Sequence, residues 1–289
     1  MRCITTIFTL PKTLISPKYQ SFCTTQINTE RRLVMNPSQL KASILSLSEQ
    51  YAKSRGLEYK KYTTALIFKH ISDNFLNSSF QNIERNSELK PRLNKTHSNI
   101  KKTYEMQSSN SSNALLMNVF CHSKISKWKG IRDLFRVKDV KPIFGYKPGI
   151  PLKNGKRDRT EIDLVLADIF VEAKLTESDF KVKDFETVAN YHGFEDVFHP
   201  EKLPKTDKSF LNYQIIRNLL AAYHFEKRHI LICDGRRGDL IKSYYDVVKC
   251  VRSVGIRKRC DVIFWQDIWE RVGKDIKEFL SEKYGINSK

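Results

Sequence analysis

The chain has 289 residues, with 51 Lys and Arg against 32 Asp and Glu and a formal net charge of +19 at pH 7. That length can bury one full domain with an added segment, and the charge suits a polyanionic partner, nucleic acid being the commonest. The plainer readings are a merely basic protein or attraction to an anionic membrane surface; no run approaches the roughly 20 apolar residues that span a bilayer, and the basic stretches make no convincing membrane-surface helix, so no membrane partner is expected.

Residues 1–34 are rich in Ser and Thr, hold no acid before Glu30 and lack a hydrophobic signal core. They read either as an organellar presequence or as an extension upstream of Met35. In both readings the segment is expected to be poorly ordered. The run Asn36-Pro37-Ser38-Gln39 is a helix start, and residues 35–80 are expected to form a helical appendage. Leu40, Ile44, Leu47 and Tyr51 make one helical stripe; Leu66, Ile67, His70, Ile71 and Phe75 make a second, with Gly56 between them. His70 is then expected as a core histidine. Residues 81–110 turn polar and basic around Pro91, with Arg85, Lys90, Arg92, Lys95, Lys101 and Lys102. They read as a linker, or alternatively as an arm along a DNA backbone.

The main domain is expected over residues 111–289. A helix through Ala114, Leu115, Val119 and Phe120 comes first, then a strand from Val140 to Tyr146 weakened by Pro142. The next stretch, Thr160 to Leu175, alternates apolar and other residues around Ala167-Asp168, the pattern of a β-hairpin with a two-residue turn. That turn sets Leu166 opposite Ile169, Leu164 opposite Val171 and Asp163 opposite Glu172. Side chains repeat every second residue, so Ile162, Leu164, Leu166, Ile169, Val171, Ala173 and Leu175 share one apolar face. Glu161, Asp163, Glu172 and Lys174 share the other, at the open end of the ribbon.

Like charges directly opposed across a strand pair are destabilising, so two facing carboxylates beside a lysine point to a cation between them. The plainer reading is a half-buried ribbon with a solvated, charged face. Against it, the alternation pins the register, Val165 and Phe170 bunch the charges at one end, and Lys174 must point the same way as Glu172.

A helix from Ser209 to Glu226 follows, then a buried strand Arg228 to Asp234, a helix Leu240 to Val254, a strand Asp261 to Trp265 and a last helix Gln266 to Tyr284. On the first of these helices Gln214, Arg217 and Asn218 form one polar stripe, facing either a phosphate or water. Arg236-Arg237 and Arg257-Lys258-Arg259 fall at loops beside strand ends, where they can neutralise phosphates. Tyr244 and Tyr245 read equally as packing residues and as base-stacking platforms. The six cysteines, at 3, 23, 121, 233, 250 and 260, form no CxxC pair, which implies a reducing compartment and no structural zinc.

Asp163 followed, after a strand spacing, by Glu172-Ala173-Lys174 resembles the signature of the PD-(D/E)XK nuclease superfamily. Ile162 stands where that signature has proline. With Leu175-Thr176-Glu177, Ser111-Ser112-Asn113-Ala114-Leu115, Asn118-Val119-Phe120 and Tyr213-Gln214-Ile215-Ile216-Arg217-Asn218, the chain resembles a bacterial branch of that superfamily over roughly Ser111 to Trp265. The bacterial likeness favours the upstream-extension reading of residues 1–34.

The resemblance implies an α/β (α+β) class with a restriction-endonuclease-like core, a central mixed sheet flanked by helices; the N-terminal helical appendage, read from apolar spacing, lies outside it. It implies that Asp163 and Glu172 hold Mg²⁺ (Mn²⁺ substituting), that Lys174 steadies the attacking water and the phosphate, and that Gln214 is the glutamine some branches place on the following helix. An additional acid is expected, with Glu161 or Glu105 as candidates. Arg217, Arg236, Arg237, Arg257, Lys258 and Arg259 are expected to bind nucleic acid.

The function expected is Mg²⁺-dependent hydrolysis of DNA phosphodiesters by a restriction-type or repair-type endonuclease, acting in the cytoplasm or nucleoid, with a homodimer to cut both strands. Alanine at Asp163, Glu172 or Lys174 is expected to abolish cutting with little effect on folding. The alternatives are a non-catalytic nucleic-acid-binding protein that keeps the fold, and a nuclease acting on RNA.

Overall fold

A computed structural model describes residues 34–97 and 100–288; the expectations for residues 1–33 fall outside them. Helix α1 (Pro37–Ser54) starts as the sequence reads. Asn36 accepts from the Gln39 amide at 2.9 Å while Gln39 Oε1 accepts from the Asn36 amide at 3.0 Å, a reciprocal cap. Its stripe Leu40, Ile44 and Tyr51 is buried. The second expected helix does not form. Strands β1 (Tyr59–Lys61) and β2 (Leu66–Phe68) pair antiparallel there, and His70 is exposed. A short apolar run has no period long enough to separate strand from helix, and here Leu66, Ile67 and Phe68 are all buried.

Helix α2 (Asn77–Arg85) follows. The basic stretch after it is folded: Lys90–Asn94 is a 3-10 turn, and Leu93 packs with Ile83, Met106 and Ala114. Helix α3 (Ser112–Phe120) is capped by Ser111 and buried along its whole length. Then come α4 (Lys129–Phe135) and strands β3 (Pro142–Tyr146), β4 (Ile150–Pro151), β5 (Arg157–Asp158), β6 (Ile162–Leu166) and β7 (Ile169–Ala173).

Strand β8 (Lys183–Asp184) leads into the short helices α5 (Phe185–Ala189) and α6 (Phe194–Val197). Strand β9 (Ser209–Phe210) pairs with β8, so the helix expected from Ser209 begins only at Tyr213, as α7 (Tyr213–His224). Strand β10 (Arg228–Cys233), α8 (Gly238–Val248), α9 (Val254–Arg257) and β11 (Cys260–Phe264) complete the α/β half. The expected last helix is two, α10 (Trp265–Trp269) and α11 (Lys274–Tyr284), broken before Gly273.

The central sheet has five strands in the order β11-β10-β7-β6-β3. β3, β6 and β7 are antiparallel neighbours, whereas β7, β10 and β11 run parallel. Pro142 opens the edge strand, the position where a missing amide costs no ladder bond. One face of the sheet buries Leu164, Leu166, Ile169, Val171, Ala173 and Leu175 in the main apolar cluster, together with residues of α1, α3, α4, α10 and α11. The other face is covered by α7, which contacts β7 and β10, and by α8 on β10. This is a mixed α/β fold of the restriction-endonuclease-like kind, with α1 packed against α11. Among the described residues no helix is long and apolar enough to cross a membrane, and Cys121, Cys233, Cys250 and Cys260 are buried free thiols.

Candidate active site at the open end of the hairpin

Strands β6 and β7 pair in the register read from their alternation, Leu164 with Val171 and Leu166 with Ile169. The two-residue turn between them sets Ala167 at φ +51°, and Arg228 clamps it, donating to both carboxylate oxygens of Asp168 at 2.8 and 2.9 Å. At the other end of the ribbon Asp163 leaves the ladder. Its Oδ2 accepts from the Ala173 amide at 3.0 Å, taking the place of a backbone partner.

Helix α7 converts this ribbon face from a wet surface into a buried site. Glu172 and Lys174 are 2 % and 5 % exposed, and Val165 and Phe170 beside them are buried as well. Lys174 Nζ lies 2.9 Å from Glu172 Oε1 and donates to Gln214 Oε1 at 2.9 Å. Asn218 Nδ2 donates to Glu172 Oε2 at 2.7 Å. Arg217 donates to Asn218 Oδ1 from Nε and Nη2, at 3.0 and 2.7 Å, and from Nη2 to the Glu161 carbonyl at 3.2 Å. Trp265 Nε1 holds the Lys174 carbonyl at 3.0 Å.

The electrostatics follow from this burial. Burial, then the Glu172 charge, push the Asp163 carboxyl up to about 7, against the pull of Lys174 and the Ala173 amide. For Glu172 burial acts upward, but Lys174, Arg217 and the Asn218 bond together hold it below the usual carboxylate range. Burial works against the Lys174 ammonium as well; Glu172, Glu177 and Asp163 outweigh it and keep the amine protonated. One acid is therefore firmly ionised and its neighbour is poised near neutrality beside a fixed cation.

Asp163 and Glu172 are the residues that could hold a hard divalent ion. Only the Ala173 amide donates to Asp163 among the described residues, and a bound cation would relieve the proton that burial and Glu172 press onto it. No group of three or more His, Cys, Asp or Glu arranged for a metal occurs among the described residues. Two carboxylates are what Mg²⁺ commonly takes from a protein.

The family model described as restriction endonuclease associating with ARP matches residues 45–285. The chain belongs to this restriction-endonuclease family. No curated protein and no solved structure matches it.

In this chain the other expected site residues fall in different places. The Glu161 carboxylate is held by Arg92 Nη1 at 3.1 Å, and Glu105 is bonded to Asn113 at 2.5 Å and paired with Lys95 at 3.0 Å. Besides Glu172, the acid that acts on both Asp163 and Lys174 is Glu177, whose oxygens accept from the Leu175 amide at 2.7 Å and from Ser112 at 2.6 Å. Glu177 was visible only as the end of the run Glu172-Ala173-Lys174-Leu175-Thr176-Glu177. Asn218 was visible as the residue one turn after Gln214.

The basic residues separate in the same way. Arg217 is buried behind Asn218. Arg236 is spent on Asp234, with bonds of 2.8 and 2.7 Å, and the fully buried Arg237 on Asp239, with two bonds of 2.8 Å. Both follow the C-terminal end of β10, the end where Lys174 lies, since the Lys174 amide bonds the Ile232 carbonyl. Arg257, Lys258 and Arg259 lie at the opposite end, where the Arg259 carbonyl accepts from the His229 amide. The length of β10, roughly 20 Å, separates the two groups. Arg257 caps the carbonyls of Val251 and Arg252, and Lys258 is exposed. A cavity of about 750 Å³ near His122 and Pro142 shares no residue with the site.

Proposed function

We propose that this protein is a PD-(D/E)XK-type nuclease that hydrolyses DNA phosphodiester bonds with Mg²⁺, Mn²⁺ substituting. The observation that carries the reading is the convergence of Asp163, Glu172 and Lys174 at one end of β6 and β7, with Gln214 closing over the lysine. Membership of a restriction-endonuclease family supports it, as does the net charge of +19.

Asp163 and Glu172 would hold the ion, which when bound supplies Lewis acidity at the phosphoryl oxygen and a water of lowered pKa. The chain's own contribution is placement and charge. Lys174, fixed between Glu172 and Gln214, puts a permanent ammonium beside the reacting phosphate, where a preorganised charge is worth far more than in water. Gln214 accepts from Lys174 Nζ and so limits the directions in which the amine can point.

One observation favours the rival, a non-catalytic nucleic-acid-binding protein: both Glu172 oxygens are already occupied, by Lys174 and Asn218. The two readings separate in one experiment. Genomic DNA, which offers many sequences, is incubated with the full chain in Mg²⁺ and in EDTA. The nuclease reading expects fragments only with Mg²⁺, and none from Glu172→Gln, which keeps the packing. Equal fragmentation by the variant, or no cutting of DNA by a folded parent, would falsify it.

A further inference from the structure

Glu161 stands two positions before Asp163, about 7 Å along the strand, and it is ringed by cations from distant parts of the chain. Arg92 Nη1 is 3.1 Å from Oε2, Lys95 Nζ is 3.8 Å from the same atom, and Lys147 Nζ is 3.8 Å from Oε1. Arg217 bonds the backbone carbonyl of the same residue. Neither lysine is within hydrogen-bond distance of this carboxylate; Lys95 is paired more closely with Glu105, at 3.0 Å, and both lysines remain partly open to solvent.

Access for Arg92 is built into the sheet. Gly145 falls opposite Asp163, between the registered pairs Phe144–Leu164 and Tyr146–Ile162. It has φ +62°, and a Cβ there would lie 2.1 Å from Arg92 Nη1 and 2.6 Å from Cζ. The guanidinium therefore crosses the edge strand in the space that glycine leaves, one strand from Asp163. Arg92 Nε is buried without a hydrogen-bond partner, so the planar fork is not saturated by its present contacts.

A carboxylate and a phosphodiester each carry one negative charge over two free oxygens, and guanidinium matches both. We infer that Arg92, Lys95 and Lys147 form a subsite for a backbone phosphate next to the scissile one, and that Glu161 occupies it until nucleic acid displaces it. The inference rests on the phosphodiesterase reading for its substrate, but it concerns binding and needs no cleavage. Glu161 is then an internal competitor that weakens non-specific association, instead of an additional metal ligand.

The test is fluorescence anisotropy of a labelled DNA duplex in EDTA, repeated over a range of salt concentrations with the full chain. Glu161→Gln keeps the shape and removes the charge; it should tighten binding by roughly tenfold. Glu270→Gln, which loosens an exposed pair with Arg271, is the control for net charge and should change affinity less than about twofold. Arg92→Gln should weaken binding and flatten the log–log salt slope by roughly 0.9, and in that background Glu161→Gln should gain little. Arg92→Lys, which keeps the charge without the fork, should retain the slope and lose part of the affinity.

The inference is overturned if Glu161→Gln gains no more than Glu270→Gln, or if Arg92→Gln leaves the salt slope unchanged. Because no metal is present, these outcomes are independent of whether genomic DNA is cut, so failure of the subsite and failure of the nuclease reading are distinguishable.

Discussion

Asn218 donates its side-chain amide to Glu172 Oε2 at 2.7 Å, and Arg217 locks the orientation of that amide from behind. The acid is thus aimed by a residue with no access to solvent. Asn218→Ala would leave a buried carboxylate with one partner fewer, at a cost of about 1–3 kcal/mol. Its cleavage rate should fall at least about tenfold, in kcat rather than KM, because the loss is of alignment and not of substrate contact. Single-turnover kinetics beside thermal melts check this; a variant that is destabilised yet cuts normally assigns Asn218 to packing alone.

Lys174 and Glu172 form an ion pair with both side chains nearly out of solvent. Breaking such a pair from one side costs about 3–5 kcal/mol, since the remaining charge has no partner. The expectation that alanine at Glu172 or Lys174 leaves folding nearly intact therefore does not hold in this geometry. Glu172→Ala and Lys174→Ala should lower the urea midpoint strongly; Glu172→Gln fills the same space but leaves the Lys174 charge without its counter-ion and should lower it as well, by less than Glu172→Ala. Parallel urea curves decide the order.

His229 is buried on β10, with Nδ1 2.9 Å from the Tyr244 hydroxyl. Burial, opposed by Glu172 and aided by Arg217, lowers its pKa from 6.5 to about 4. The unfolded imidazole takes a proton near 6.5, the native one only near 4, so the unfolded state binds more protons between these values. Stability should be intact above pH 6.5 and fall as the pH drops towards 4, by on the order of 3 kcal/mol. His229→Gln should flatten that slope. Urea titrations at pH 7 and pH 4.5 would show it, and an unchanged slope in the variant rules the histidine out. The same contact makes Tyr244, fully buried, a packing residue and removes it from base stacking.

Ala167 holds φ +51° in the tightest turn of the site ribbon. A left-handed conformation costs a non-glycine residue about 1–2 kcal/mol, and glycine pays roughly 0.5–1 kcal/mol in chain entropy. Ala167→Gly should therefore raise stability by about 0.5–1 kcal/mol with no change in cleavage. Differential scanning calorimetry gives the sign directly; a lowered melting temperature contradicts it.

The chain by itself determined the ribbon, its register and the end at which Asp163, Glu172 and Lys174 meet. Alternation and turn length are local, and a one-residue slip would expose the whole apolar face. The positions along the chain of the five sheet strands and of α3, α7 and α8 were legible from apolar patterning, whereas the order of the strands within the sheet was not. Periodicity failed at Leu66–Phe68, where three buried residues carry no period, and within the last helix, whose break precedes Gly273.

Only the tertiary structure decided what covers each face. α7 lies some 40 residues beyond the hairpin, and its packing turned a solvated charge pattern into a buried site in which Gln214 and Asn218 reach the lysine and the glutamate. Folding likewise spent Arg236 and Arg237 on nearby acids and carried Arg257, Lys258 and Arg259 to the far end of the sheet. It also brought Arg92 through the space at Gly145 to Glu161. A residue type states which charge is available; which partner reaches it first depends on contacts between segments that the sequence separates.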